Sequence, residues 1–385
     1  MWVRRMSRLP QFRTSGTSPR KLTARVVALC AAFAMVASCV TSVSREKLVE
    51  SGSDNAMSKE TPDRFWIADT ISPEARAKME ALVSYARAYQ TNEMPAVTSE
   101  DWQARRQVRE QMMELFNAPM LERLKPSIED VELGGIPALK VTRNKPGPSK
   151  STILYVHGGG FTYLSARSSL KSAVLMAEAT GDTVYSIDYT LAPEAKWDEI
   201  TMQVITAYQA LLNEGYRADE IGFFGDSAGG SIVAGSTLRL RDMGIPMPAA
   251  LLLHSPSTDL TGAGDTFTTL AFFDPGLEKE DTLYRLSQYA GSDDRKNPYA
   301  SPAYGDFRTG FPPTLIQTGT REMLLSDSVR LYQAIERDGG DAVLDIYEGM
   351  PHVFPSLLDG TPESDAAYSR ATKFWHEYLK PEPPA

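Results

Sequence analysis

The chain has 385 residues, 42% hydrophobic and 23% charged, which allows a sizeable core and excludes a largely disordered chain. Its 49 acidic against 40 basic residues give a net charge of −9, the wrong sign for binding nucleic-acid phosphates. Cys30 and Cys39 are the only cysteines and the four histidines show no ligand spacing with one another, so neither a disulfide framework nor a metal site is indicated.

Residues 1–39 differ from the rest. Arg4, Arg5, Arg8, Arg13, Arg20, Lys21 and Arg25 precede the apolar run VVALCAAFAMVA (26–37), a basic region before a run too short for a membrane span. The run leads into Val36-Ala37-Ser38-Cys39, which resembles a bacterial lipobox. The pattern predicts a signal peptide over 1–39. Cleavage would leave Cys39 as a lipidated first residue that anchors an exported protein at the periplasmic or cell-surface side of a membrane. Ordinary cleavage near these small residues, or an uncleaved anchor, is the plainer alternative. Removing these residues takes away seven basic and no acidic ones, leaving 33 against 49 and a net charge of −16. Residues 40–61 are polar and suit a tether.

From Ser72 the pattern turns helical, with Ser-Pro-Glu as cap and first turn and Met79, Leu82, Val83 and Ala86 at helical spacing. A second helix is predicted from Thr98, with Asp101 three residues on in a capping-box arrangement and Val108, Met112 and Leu115 following. These residues suit a pocket lid and plain packing equally. After Ser127 the period changes. VEL (131–133) and ALKV (138–141) flank Gly134-Gly135 as a hairpin. TILYV (152–156), TVYSI (183–187), IGFFG (221–225), AALLLH (249–254), PTLIQT (313–318) and VLDIYE (343–348) then alternate with helical stretches. That alternation predicts an α/β fold, with a mainly parallel sheet and helices on both faces. Chemistry in such sheets gathers beyond the carboxyl ends of the strands.

Two of those ends carry motifs. IGFFG continues into Asp226-Ser227-Ala228-Gly229-Gly230 and a helical run, so Gly225–Gly229 fits G-x-S-x-G between a strand and a helix. A sharp turn there exposes the Ser227 hydroxyl near a helix N-terminus. A glycine-rich packing turn is the bland alternative; a phosphate loop lacks its Lys-Ser/Thr. TILYV continues into His157-Gly158-Gly159-Gly160-Phe161, where side-chain-free backbone can present N–H donors to a developing oxyanion, each worth about 2.7–4 kcal/mol in acyl transfer.

HGGGF, YTLAPE (189–194) and GDSAGG resemble the bacterial esterase branch of the hormone-sensitive-lipase-like α/β-hydrolases. LLLHSPSTDL (251–260), NPYASPAYGDF (297–307) and GMPHVF (349–354) extend the resemblance from about residue 131 to the C-terminus. It implies an α/β-hydrolase fold, with residues 62–127 as an N-terminal helical cap and 128–385 as the catalytic domain. It also implies hydrolysis of short- to medium-chain carboxylic esters without a cofactor. The oxyanion donors would be the N–H groups of Gly159, Gly160 and Ala228, with His157 and Glu194 as braces. After LAPE the family often has a proline-containing run, whereas here Ala195-Lys196-Trp197-Asp198 follows.

The order of this fold, Ser then acid then His, requires a base after Ser227. His254 ends an apolar strand and His376 lies on a C-terminal amphipathic helix. His352, in a loop after the last strand, is the expected general base. Two acids compete in GTREMLLSDS (319–328). Gly319 is expected to end the strand and place Glu322 on the loop above it. Asp327 falls in the first turn of the next helix, where free N–H groups and the dipole would hold it. Glu322 is therefore the expected partner of His352, with Asp327 second, although the family more often has aspartate there. A lactone hydrolase, a deacetylase of acetylated sugars and a non-catalytic binding protein remain as alternatives, and the oligomeric state, a homo-oligomer included, is open.

Overall fold

The computed structural model describes residues 64–88, 96–145 and 151–379. The proposed leader, Cys39 and the whole tether lie outside them. From residue 61 onward the chain forms one compact unit. Its two N-terminal helices are α1 (Pro73–Ala88) and α2 (Ser99–Leu124). Ser72 caps α1, its Oγ accepting the Ala75 N–H at 3.0 Å. At α2, Thr98 Oγ1 accepts the Asp101 N–H (3.1 Å) and Asp101 accepts the Thr98 N–H (2.9 Å), the reciprocal box that the sequence predicts.

The hairpin follows as β1 (Ser127–Leu133) and β2 (Ile136–Thr142), joined by a two-residue turn in which Gly134 and Gly135 both have positive φ (60° and 87°). Thereafter strands and helices alternate: β3 (Thr152–Val156), α3 (Leu170–Thr180), β4 (Thr183–Ile187), α4 (Trp197–Asn213), β5 (Ile221–Asp226), α5 (Ala228–Asp242) and β6 (Leu251–His254). After β6 come the short α6 (Thr266–Thr269) and α7 (Lys279–Tyr289). The C-terminal part comprises β7 (Thr314–Arg321), α8 (Leu325–Arg337), β8 (Ala342–Pro351), the short α9 (Phe354–Leu357) and α10 (Pro362–Tyr378).

The eight strands form one sheet in the order β1-β2-β4-β3-β5-β6-β7-β8. The β1–β2 and β2–β4 pairs are antiparallel and the rest parallel. From β3 the chain moves to β4 on one side, then crosses to β5 on the other. The switch point is thus the crevice beyond the carboxyl ends of β3 and β5, where an open sheet leaves room for a ligand. Both glycine motifs lie there.

Side-chain alternation builds a core on each face. On β3, Leu154 and Val156 join helices α4, α5 and α8, while Ile153 and Tyr155 join α3 and α10. On β5, Phe223 and Phe224 divide in the same way. Gly222 faces α10 so closely that an added β-carbon would lie 2.2 Å from Trp375 Cζ2.

Two expectations around GTREMLLSDS need correction. Strand β7 continues past Gly319 and ends at Arg321, and Glu322 is the first residue of the short loop that leads to α8, as expected. Gly319 serves a close approach: an added β-carbon would lie 2.0 Å from the Met350 carbonyl oxygen of β8. Asp327 does lie in the first turn of α8, but its bond runs elsewhere. Its Oδ2 accepts the Asp259 N–H (2.9 Å) from the segment after β6, and Arg330 pairs with the Asp259 carboxylate. Asp327 is fully buried, and its Oδ1 has no partner among the described residues. Tertiary burial therefore overrides the helix end as its main environment.

Two predictions follow from this packing. Gly222→Ala should destabilise the fold by about 1–3 kcal/mol through overpacking against Trp375, read as a lowered urea midpoint. Burial pushes the Asp327 carboxyl up to about 8, opposed by the Asp259 N–H and Arg330 and assisted by the Asp259 charge. The folded chain then keeps a proton that the unfolded chain releases above its ordinary 3.8, so stability from this group falls as pH rises between about 4 and 8. Asp327→Asn removes that dependence and keeps an acceptor for the Asp259 N–H. Its stability relative to wild type should rise across that range, and a difference independent of pH would contradict the assignment.

Candidate active site

Between β5 and α5 the backbone at Ser227 takes φ 54°, ψ −122°, a strained conformation for a residue with a side chain. Neighbouring backbone holds it there. Ser227 N–H donates to the His254 carbonyl (2.8 Å), and Ser257 N–H donates to the Ser227 carbonyl (3.0 Å). Only glycine fits the flanks: an added β-carbon would lie 2.5 Å from the Gly229 carbonyl oxygen at Gly225, and 2.0 Å from that of Val156 at Gly229.

The oxyanion-loop candidate follows β3. Gly159 and Gly160 have φ of 108° and 61°, and their N–H groups have no acceptor among the described residues. Ala228 is the first residue of α5, so its N–H has no intrahelical partner. Gly160 and Ser227 line one cleft with Phe161, Leu277, Leu286 and Leu324.

His352 follows β8, with Val353 beside it in the left-handed region (φ 52°). Its Nε2 lies 2.9 Å from Ser227 Oγ and its Nδ1 lies 2.7 Å from Glu322 Oε2. The structure thus brings together Ser227, His352 and Glu322, and leaves Asp327 facing Asp259. Glu322 is fully buried, yet its Oε1 accepts from Ser255 Oγ (2.8 Å), Thr318 Oγ1 (2.5 Å) and the Gly319 N–H (2.7 Å). Those donors offset the cost of removing a carboxylate from water. Ser255 Oγ also accepts the Val353 N–H (2.9 Å), so one hydroxyl fixes both the acid and the histidine loop. Burial lowers the His352 pKa, but the hydrogen bond and charge of Glu322, with Asp274 and Asp226 adding, carry it above the ordinary 6.5.

Two further buried acids support this arrangement. Asp274 Oδ2 accepts the Met323 N–H (2.7 Å), directly after Glu322, while its Oδ1 accepts the N–H groups of Gly276 (2.8 Å) and Leu277 (2.9 Å). Asp226 is bonded to the Tyr155 hydroxyl. Burial pushes it up to about 6, against Tyr155, His352 and the Gly158 N–H. Neither residue carries a sequence motif that assigns these contacts, because the partners come from distant segments.

The other histidines have separate roles. His254 Nε2 pairs with Gln317 Oε1 (3.0 Å), and burial, partly offset by that bond, pulls its pKa down to about 3. His376 is exposed on α10. His157 is buried, stacks on Tyr189 with centroids 4.4 Å apart, and donates Nδ1–H to the Gly158 carbonyl (2.8 Å). Glu194 receives both ends of the Arg106 guanidinium (2.7 and 2.9 Å), which also donates to the carbonyls of Thr162 (2.9 Å) and Ala192 (2.8 Å). The brace thus runs from α2 to the end of the glycine loop. Nearby, Trp102 of α2 lies 5.5 Å from Tyr163 and 6.1 Å from Tyr284 by ring centroid.

A family model described as alpha/beta hydrolase fold matches residues 153–356. An acetyl-hydrolase of Streptomyces hygroscopicus is 33% identical over 58% of this chain and 74% of its own length. An esterase of Acinetobacter venetianus is 29% identical over 70% of this chain and 88% of its own. Among solved structures, an esterase from the bacterial hormone-sensitive lipase family superposes with a TM-score of 0.71 at 32% identity, covering 80% of this chain and 99% of that one. Sequence and architecture agree: the chain belongs to the hormone-sensitive-lipase-like esterase family of the α/β-hydrolase fold.

Proposed function

We propose that the chain hydrolyses short- to medium-chain carboxylic esters, acetyl esters foremost, through an acyl-enzyme on Ser227. One observation carries the reading: the unbroken run of hydrogen bonds from Ser227 Oγ through His352 to a Glu322 held by three further donors. In this scheme Ser227 Oγ attacks the ester carbonyl carbon while His352 Nε2 takes its proton. Glu322 holds Nδ1–H and stabilises the imidazolium. The N–H groups of Gly159, Gly160 and Ala228 receive the oxyanion. Collapse breaks the bond to the alcohol, which leaves with the proton from His352. Water, deprotonated by His352, then attacks the acyl-enzyme and releases the acid and free Ser227. The scheme uses no cofactor.

The preference for small acyl groups has two supports. The cleft beside Ser227 is narrow, walled by the apolar side chains of Phe161, Leu277, Leu286 and Leu324. Relatives in Streptomyces and Salmonella bear the names acetyl-hydrolase and acetyl esterase. The leader adds a location, export with a lipid on Cys39, supported by its sequence pattern alone.

A fluorophosphonate probe should label the wild type and not Ser227→Ala; labelling that survives the substitution would sink the scheme. Glu322→Gln should lower kcat by about three to four orders of magnitude with folding kept. Because His352 works as the neutral base and its pKa is raised, wild-type activity should fall away on the acid side of a midpoint above 6.5. In Glu322→Gln the residual activity should show that midpoint at lower pH. For the anchor, Cys39→Ser should move the protein out of the membrane fraction, and unchanged partitioning would count against lipidation.

A further inference from the structure

The cleft beside Ser227 is not wholly apolar. Arg285 of α7 lines it, with a side chain only 11% exposed. One edge of its guanidinium is engaged: Nη2 lies 2.8 Å from Asp281 Oδ2, and Nε–H donates to the Asp281 carbonyl at 3.4 Å. The other edge is not. Nη1 has no acceptor among the described residues, and it lies so near the oxyanion loop that a β-carbon added to Gly160 would be 2.6 Å from it.

A second cation stands close by. Arg109 of α2 lies 4.2 Å from the Tyr163 ring centroid, and Arg285 lies 5.9 Å from the same centroid. Arg109 forms no ion pair among the described residues, so two guanidinium groups face one carboxylate here. The balance is opposite in sign to the whole chain, at −9. Burial depresses the Arg285 pKa; the Asp281 charge opposes that and Arg109 adds to it. A half-paired cation in a small cleft is costly, and a pocket for neutral chains has no use for it.

We propose that this cleft receives esters bearing a carboxylate a few bonds from the scissile carbonyl, which Arg285 Nη1 binds while Gly160 N–H holds the oxyanion. The proposal rests on Ser227 as the nucleophile and adds the substrate class. Asp281 keeps the guanidinium oriented, and the substrate carboxylate supplies the missing negative charge. A guanidinium–carboxylate hydrogen bond in a partly desolvated site favours the charged ester over its neutral analogue.

The test compares kcat/KM for matched pairs: monomethyl adipate with methyl hexanoate for a carboxylate on the acyl side, and 4-acetoxybutanoate with butyl acetate for the alcohol side. In at least one pair the wild type should favour the carboxylate ester by about tenfold or more. That ratio should drop toward one in Arg285→Met, persist in part in Arg285→Lys, and shrink in about 0.5 M sodium chloride. No preference in either pair, or a ratio unchanged in Arg285→Met, would overturn the proposal. An equal loss on charged and neutral esters would also overturn it, and would make Arg285 a brace of the glycine loop. Should Arg285→Met fail to fold, the wild-type ratios and their salt dependence decide alone. Ser227→Ala separates the two levels. If hydrolysis of the neutral esters needs Ser227 but no preference appears, only the substrate class fails. If hydrolysis does not need Ser227, the underlying scheme fails.

Discussion

Everything at this site depends on how closely three pieces of backbone approach one another. The end of β3, the turn at Ser227 and the first turn of α5 meet without room for a β-carbon at Gly225 or Gly229. That contact holds Ser227 at a positive φ of 54° and brings the loop after β3 beside it. The serine motif and the glycine loop are therefore one steric unit, although some seventy residues separate them. Sheet topology makes this unit accessible, because β3 and β5 flank the switch point where no crossover covers the strand ends.

Around this unit the fold buries carboxylates and gives each its own donors. Glu322 takes three donors and the His352 imidazole; Asp274 takes three backbone N–H groups; Asp226 takes the Tyr155 hydroxyl. A buried charge without such partners would be too costly to retain, so the donors decide where an acid can serve chemistry. Glu322 and Asp327 illustrate it. They stand five residues apart and both are fully buried, yet one faces an imidazole and the other a single backbone N–H. Burial raises the pKa of Asp327, and Arg330, paired with Asp259, counters that only in part.

The N-terminal helices join the same electrostatics. Arg106 carries α2 onto Glu194 and two carbonyls flanking the glycine loop, and Arg109 brings a second cation to Tyr163 near Arg285. A helix that reads in sequence as packing or lid thus contributes charge at the edge of the cleft. In the sequence KEDTLYRLSQY, Arg285 resembles an ordinary surface partner of Asp281 at i+4 spacing. Its burial comes from the approach of the loop at Gly160.

By itself the sequence determined what short-range sterics and period dictate. It set the capping box at Thr98, the Gly134-Gly135 hairpin, the alternation of strands and helices, and the two glycine motifs at strand ends. Chain order then pointed to His352 and Glu322, and the structure places both in hydrogen-bonded sequence with Ser227. Tertiary structure alone decided the pairings between distant segments. Gly319 reads as a strand stop but permits the approach of Met350; Asp327 reads as a helix-end residue but binds the segment after β6. Ser255 gives no sequence sign of holding both the acid and the histidine loop. Local backbone preference reaches only a few residues along the chain, whereas the donors that fix a buried charge are chosen by whatever the packed sheet brings within 3 Å.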